Sequence, residues 1–258
     1  MKYLIWSYAY RHDSGGPKVL HRLCHELNEA GQEAYVSHEK TNPEWNTPYH
    51  KPFEGDDWIA IYPEIVAGNP WNASRVVRWV LNNPGKLQQG DKVYDPAEIV
   101  FTFSELFNDM HVGPERLLCL PTIETDLYFD RHLIRDRVAF YVGKGSKAFD
   151  LPGAVEITDE IRADRERLAR LLNGSVLMYC FDNVTGAIDI ARLCGCPVYL
   201  VPNGEYTWEQ YDQWVGWAGL GWGRIPPPFD SAVFLGDQLL LKDRFREQLE
   251  TFIRVTQA

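Results

Sequence analysis

The sequence predicts an α/β protein built from two parallel sheets with helices on both faces. Short apolar runs, of the length of buried strands, alternate along the chain with longer amphipathic stretches. Strands that alternate with helices form parallel sheets. A glycine-containing loop also follows the first apolar run of each half of the chain, at 14–16 and again at 143–147. We therefore expect two halves with the same order of strand, glycine loop and helix.

The first half is predicted to begin with a buried strand at 3–9 and a helix. Pro17 suits the first helical position, and Gly31 is placed to end the helix. Further strands are predicted at 33–37, 58–62, 99–103 and 117–120. We also predict a helix that begins at Asn72, as its N-cap, and ends at Leu81.

The second half is predicted to follow a connecting segment at 121–137, which has many charges and weak periodicity. Strands at 138–142, 154–157, 175–180 and 197–201 alternate there with helices at 161–172 and 185–194. A last helix, at 239–253, carries an apolar stripe that needs a surface to cover it.

Composition and charge limit the classes of function. The chain of 258 residues is 45% hydrophobic and 24% charged, which is typical of a folded globular protein. Its 36 acidic residues exceed its 26 basic ones, and a net charge of -10 argues against capture of nucleic acid or an anionic bilayer as the main activity. Any positive charge that matters must be local.

Location is predicted from apolar runs and cysteines. No apolar run reaches the ~18 to 20 residues of a membrane span, so the sequence predicts no transmembrane segment. The start of the chain turns polar at Ser7, too early for a signal-peptide core, and we expect a cytoplasmic protein. Five scattered cysteines fit buried, reduced thiols better than disulfides.

Three loops that follow strands are candidate ligand sites, because ligands of parallel sheets bind at the carboxyl ends of the strands. At Gly15 and Gly16 the backbone can approach an anion closely, although a tight turn into the helix would need the same residues. Lys144 and Lys147 can neutralise a diphosphate, or can belong to a solvated surface loop. No dinucleotide-binding or Walker motif is present.

The loop at 180–185 is the third candidate. Asp182 or Thr185 can cap the helix that follows, and the same amides and hydroxyl suit a phosphate or a ribose. The two roles are compatible.

Several segments together are similar to a known family. They are Ser14-Gly15-Gly16, Tyr62-Pro63-Glu64, the segment 78–85, Tyr141-Val142-Gly143-Lys144-Gly145, and 181–185 followed by 193–198. In this order and spacing they resemble bacterial or phage glycosyltransferases of the GT-B fold. The resemblance implies two Rossmann-like, doubly wound domains that face each other across a cleft. It further implies an acceptor domain at 1–121, a nucleotide-sugar donor domain at 122–238, and a helix at 239–258 that crosses back to the first domain.

The resemblance assigns donor-binding residues one by one. Gly15 and Gly16 match the glycine loop beside the donor phosphates, and Lys144 and Lys147 match the basic diphosphate clamp. Asp182 matches the first acidic residue of a Glu-x7-Glu pair, whose second position is Ile190 in this chain. Three further residues of these loops complete the predicted donor site: Gly143, Asn183 and Thr185.

The reaction implied is displacement of a nucleoside diphosphate by an acceptor hydroxyl. An inverting enzyme needs a base, for which the candidates are Asp13, Glu64 and His12, the first two being favoured. Asp13 can instead cap the helix, and Glu64 can instead support its loop; a retaining enzyme needs no such base. No Asp-x-Asp pair is present, so we expect no metal cofactor.

The acceptor expected is a glycan, a lipid-linked molecule or a small molecule. One alternative is a protein of the same fold that binds a nucleotide sugar or a glycan without turnover. Another is a phage glycosyltransferase that modifies DNA, which would need a basic patch built from Arg75, Arg78, Lys86 and Lys92.

Overall fold

The computed structural model describes residues 1–52, 55–87, 90–108 and 111–258, with the backbone alone for 212–215. The chain divides into two compact units, Met1–Thr122 with Leu241–Ala258, and Ile123–Leu240. Each unit contains a five-stranded sheet whose paired strands are parallel. The predicted α/β class with two parallel sheets is confirmed. The predicted limits at 121 and 238 lie close to those of the units, and the donor and acceptor roles stay predictions.

The first unit contains five strands in the order β2-β1-β3-β4-β5. They are β1 (Lys2–Ile5), β2 (Ala34–Val36), β3 (Trp58–Pro63), β4 (Arg75–Val80) and β5 (Ile99–Thr102). Helix α1 (Gly15–Glu29) joins β1 to β2, and short 3-10 helices lie at Glu105–Phe107 and Pro114–Arg116. Since β2 and β3 lie on opposite sides of β1, the strand order reverses between β1 and β3.

One face of this sheet is covered by helices. Leu20, Leu23 and Leu27 of α1 pack there together with Phe245 and its neighbours on the C-terminal helix (Ser231–Gln257). The C-terminal helix is fixed at its end, where the Tyr3 hydroxyl lies 2.7 Å from Oγ1 of Thr256. The apolar stripe of that helix therefore finds its surface within the first unit.

The other face of the sheet is covered by irregular chain. Val66, Trp71 and Ala73, from the connection between β3 and β4, pack on Ala60 and Tyr62 of β3. The predicted helices on both faces are not found among the described residues of this unit, where the connection 64–74 contains turns in place of a helix.

The predicted helix at 72–81 is wrong, since 75–80 forms strand β4. Asn72 has a φ of 51°, in the left-handed region, and does not cap a helix. All but the first residue of β4 are buried, Arg78 included. A strand buried on both faces lacks the alternation of polar and apolar residues that marks a half-exposed strand. In β4 Arg75 and Arg78 are three residues apart, a spacing that resembles the polar face of an amphipathic helix. The predicted strand at 117–120 forms only a single bridge, from Leu117 to Thr102.

The second unit contains five strands in the order β10-β9-β8-β6-β7. They are β6 (Arg137–Tyr141), β7 (Val155–Glu156), β8 (Ser175–Cys180), β9 (Val198–Leu200) and β10 (Leu220–Trp222). The helices are α2 (Asp159–Ala163), α3 (Arg165–Asn173), α4 (Ala187–Leu193), α5 (Trp208–Val215) and the C-terminal α6 (Ser231–Gln257). The order reverses between β6 and β8.

The helices of this unit contribute to one core. Ile161, Leu168 and Ile188 pack with Ala139 and Met178 of the central strands. On the opposite face, Leu151 and Ala154 of the irregular connection after β6 pack against a cluster that contains Phe140. Helices on both faces are therefore absent from the described part of this unit too.

Two helices of the second unit differ from the predicted ranges. The predicted helix 161–172 is split at Asp164, whose carboxylate caps α3 by accepting a hydrogen bond from the amide of Arg167 at 2.9 Å. Helix α6 begins at Ser231, well before the predicted 239. Near its start Phe234 is buried, and the centre of its ring lies 3.7 Å from the guanidinium carbon of Arg192. No helix in the described residues is long and apolar enough to span a bilayer.

Candidate functional site

The predicted donor residues of the second unit meet where β6 and β8 end, at the reversal of strand order. The Lys144 amide donates a hydrogen bond to Oδ2 of Asp182 at 3.1 Å. The Val184 amide donates to the other oxygen, Oδ1, at 3.0 Å. Asp182 is buried. Its carboxylate therefore joins the two loops that follow the central strands, where open α/β sheets bind their ligands.

The close approach of the two loops explains the glycines at 143 and 145. Gly143 has a φ of 55°, which favours glycine, and a Cβ atom there would meet the Asp182 carboxylate. A Cβ atom at Gly145 would overlap the carbonyl group of Phe181. In this structure the glycines therefore allow contact between the two loops, and their role in donor binding stays a prediction.

The two predicted diphosphate ligands of this loop lie at the surface. Lys144 is exposed. Nζ of Lys147 lies 3.3 Å from Oδ1 of Asp150 and 5.0 Å from the centre of the Phe140 ring. Asp150 is almost fully exposed, and such ion pairs are weak. Both lysines are therefore exposed on the loop that follows β6.

Asn183 and Thr185 fix the conformation of the loop that follows β8. Asn183 is fully buried, and its amide nitrogen donates to the Val201 carbonyl at 3.0 Å, which ties this loop to the end of β9. Its Oδ1 atom has no hydrogen-bond partner in the described residues. Thr185 accepts a weak hydrogen bond from the Ala187 amide at 3.4 Å, at the start of α4. Both therefore act on the protein's own backbone in this structure.

In the first unit, Gly15 and Gly16 form the first turn of α1. They were predicted to precede the helix, with Pro17 at its first position. Ser14 is the N-cap and its side chain makes no capping hydrogen bond; a Cβ at either glycine would meet nothing within 4 Å. The first amides of a helix have no partner within it. The turn follows β1, one of the two strands at the reversal, and suits an anion.

The candidate bases are less open than the sequence predicted. Both oxygens of Asp13 accept hydrogen bonds from Arg11, at 3.1 and 2.8 Å, and the carboxylate is 7% exposed. Glu64 is 3% exposed, and its Oε2 accepts a hydrogen bond from the Leu81 amide at 2.9 Å, between the ends of β3 and β4. His12 is half-buried in the loop before α1. Asp13 and His12 thus lie beside the glycine turn. Glu64 is buried between the carboxyl ends of β3 and β4.

The basic patch that a DNA-modifying enzyme would need cannot include all four of its candidate residues. Arg78 is fully buried, and its guanidinium donates to the Val66 carbonyl at 2.6 Å and to Glu98. Arg75 donates to the Thr256 carbonyl at 2.9 Å. Arg78 therefore cannot contact a DNA phosphate, because its side chain is not accessible to solvent.

The sequence analysis did not single out one polar residue of α1, the helix that begins with the glycine turn. His21 is fully buried on α1, and its Nε2 lies 2.9 Å from the Tyr8 carbonyl. Burial lowers the pKa of His21. Its Nδ1 has no hydrogen-bond partner in the described residues. The signal was a histidine between Leu20 and Leu23, on the apolar face of the predicted helix.

No family model matches the chain, and no curated protein matches its sequence. Among the described residues no three His, Cys, Asp or Glu side chains are grouped as metal ligands would be. The expectation of a reaction without a metal stays a prediction.

Proposed function

We propose that this protein is a glycosyltransferase that moves a sugar from a nucleoside-diphosphate sugar to an acceptor hydroxyl. The proposal includes a GT-B arrangement, with acceptor and donor units that face each other across a cleft. What supports it is that residues with donor-binding chemistry lie at the reversal of strand order in each unit, which is where parallel α/β sheets bind ligands.

The observation that carries the proposal is the hydrogen bond from the Lys144 amide to Asp182, 3.1 Å long. It fixes the lysine loop against the end of β8. Lys144 and Lys147 are then exposed on an anchored loop at the topological reversal. There they would neutralise the charge that develops on the leaving diphosphate, which is the main electrostatic demand of the reaction.

A second candidate function is binding of a nucleotide sugar without turnover. Two observations favour it. Glu64 is 3% exposed and accepts a hydrogen bond from the backbone, and Asp13 is held by Arg11. A base must reach the acceptor proton within hydrogen-bond distance. As an enzyme, the protein would then use His12, or Asp13 after release from Arg11, or would retain configuration.

Nucleotide binding is tested by melting the full chain with a panel of nucleoside diphosphates, UDP included. A ligand that binds only the folded state raises the melting temperature. We expect a shift with at least one member, its loss in Lys144→Ala, and its retention in Lys51→Ala, which removes an exposed lysine of the first unit. An equal shift in both variants would remove the assignment of the lysine loop.

Turnover is tested by release of nucleoside diphosphate from a panel of nucleotide sugars, with glycan, lipid-linked and small-molecule acceptors supplied as pools. Release that depends on an acceptor supports the transferase. Donor binding without release under every condition supports the binding protein. Binding and release together absent would overturn both candidates.

A further inference from the structure

A surface of the second unit, at the amino ends of its strands, is apolar and basic. It consists of the loop 129–136, Arg137 at the start of β6, and helix α3 (Arg165–Asn173). The loop exposes three large apolar side chains. Ile134 is 88% exposed, Leu133 45% and Phe129 42%. Adjacent branched aliphatic residues in open solvent on one short loop call for an explanation, since large apolar side chains gain by burial.

The loop is firmly held, so this exposure belongs to a defined conformation. Asn173 of α3 accepts a hydrogen bond from the Arg131 amide at 2.6 Å and donates one to the Phe129 carbonyl at 3.0 Å. The Arg131 guanidinium binds both oxygens of Glu166. The chain before the turn that displays Leu133 and Ile134 is thereby fixed to α3.

The second anchor is Arg135. Its Nη2 donates to Asp130 and to the Cys194 carbonyl, each at 2.8 Å, and its Nη1 donates to the carbonyls of Leu172 and Ser175, each at 3.2 Å. Arg135 thus points inward while its neighbour Ile134 points outward. The residues on both sides of Leu133 and Ile134 are therefore fixed by hydrogen bonds.

The charge around the tip is opposite to that of the whole chain. The segments 129–137 and 165–173 contain six arginines against three carboxylates, and a fourth carboxylate, Glu124, pairs with Arg165, whereas the chain has a net charge of -10. The arginines are Arg131, Arg135, Arg137, Arg165, Arg167 and Arg170, and the carboxylates are Asp130, Asp136 and Glu166. Arg170 and Arg137 are substantially exposed, and the side chain of Arg137 lies beside Gly174, at the end of α3.

We propose that this surface docks the protein on an anionic lipid bilayer, with Leu133 and Ile134 inserted at the headgroup level and the exposed Arg137, Arg167 and Arg170 among the headgroups. A protruding aliphatic tip needs no matching pocket in a bilayer, whereas a protein partner would have to provide one. Arginines that flank an apolar tip complement the negative surface of the bilayer. An apolar tip and a basic patch are two weak signals that together give reversible attachment.

The test is co-sedimentation of the full chain with vesicles of phosphatidylcholine, and of phosphatidylcholine mixed with phosphatidylglycerol, at low salt. We expect binding to the mixed vesicles alone, reversed by high salt. Ile134→Asp should lower the partition coefficient on the order of tenfold or more. The matched control is Val93→Asp, the same kind of change at a residue of the first unit that is 81% exposed, and it should bind as the unchanged protein does.

Three results would overturn the proposal. One is absence of binding to the mixed vesicles at low salt, and another is equal binding by the two aspartate variants. The third is a dimer in solution that Ile134→Asp converts to a monomer, because the tip would then contact a second copy. The vesicle assay involves no nucleotide, so its outcome is independent of the proposed function.

Discussion

Arg78 and Glu98 form a bidentate ion pair in the interior of the first unit, with Nε 2.9 Å from Oε2 and Nη2 3.0 Å from Oε1. The arginine is fully buried and the glutamate nearly so. The same guanidinium donates to the carbonyls of Val66 and Gly68. One side chain in β4 thus holds the irregular chain after β3, which covers a sheet face where the described residues form no helix.

Removing the acidic partner should destabilise the first unit. In Glu98→Gln the Arg78 charge stays buried without its carboxylate, and breaking a buried pair in this way costs about 3–5 kcal/mol. Urea unfolding followed by tryptophan fluorescence measures the loss. Glu39→Gln, at an exposed glutamate, is the control and should change the free energy of unfolding by less than about 0.5 kcal/mol. Equal unfolding curves for the two variants would contradict the role of the pair.

The contact between the two loops of the second unit gives another prediction. Gly145→Ala places a Cβ atom on the Phe181 carbonyl, so the loops must separate. We expect lower stability and weaker nucleotide binding together, measured by melting with and without nucleoside diphosphate. Gly186→Ala is matched, because a Cβ there meets nothing within 4 Å, and it should behave as the unchanged protein does. Normal binding by Gly145→Ala would show that loop contact is dispensable.

Acid should weaken the first unit through His21. Burial lowers the pKa of His21 below its ordinary 6.5, so the unfolded chain takes up the proton at a higher pH than the folded chain. Stability therefore falls as the pH drops below about 6.5, toward the lower folded pKa, and His21 contributes no pH dependence well above 6.5. Unfolding free energies measured across this range should fall less steeply in His21→Gln than in the unchanged protein.

The control for this prediction is His132→Gln, because His132 is largely exposed. It should keep the slope of the unchanged protein. Identical slopes for both variants and the unchanged protein would mean that carboxylates alone set the acid sensitivity.

Sequence periodicity predicted the strands whose surroundings are simple. Strand β8 was predicted at 175–180, as observed, because an apolar run is bounded there by Gly174 and by the polar loop after Cys180. Strand β4 was missed because Arg78 is neutralised by Glu98, twenty residues later in the chain. No local pattern contains that pairing. Burial of a charge is decided by the partner that tertiary structure brings to it.

The candidate site shows the same limit. The glycines and lysines at 143–147 could be singled out because the loop follows a strand, and strand ends are where ligands bind. The burial and hydrogen bonding of Glu64 could not be predicted. Its carboxylate accepts a hydrogen bond from the Leu81 amide, which follows β4, and the sequence indicated a helix in place of that strand. Likewise, exposure of Ile134 depends on Arg135 and Asn173 holding its loop.

Hydrogen exchange with and without nucleotide tests whether a nucleoside diphosphate binds where β6 and β8 end. We expect slower exchange of backbone amides in 143–147 and 181–185 when the nucleotide is bound, with no such change in Lys144→Ala. Binding that leaves both loops unchanged, or that slows exchange only elsewhere in the chain, would contradict it.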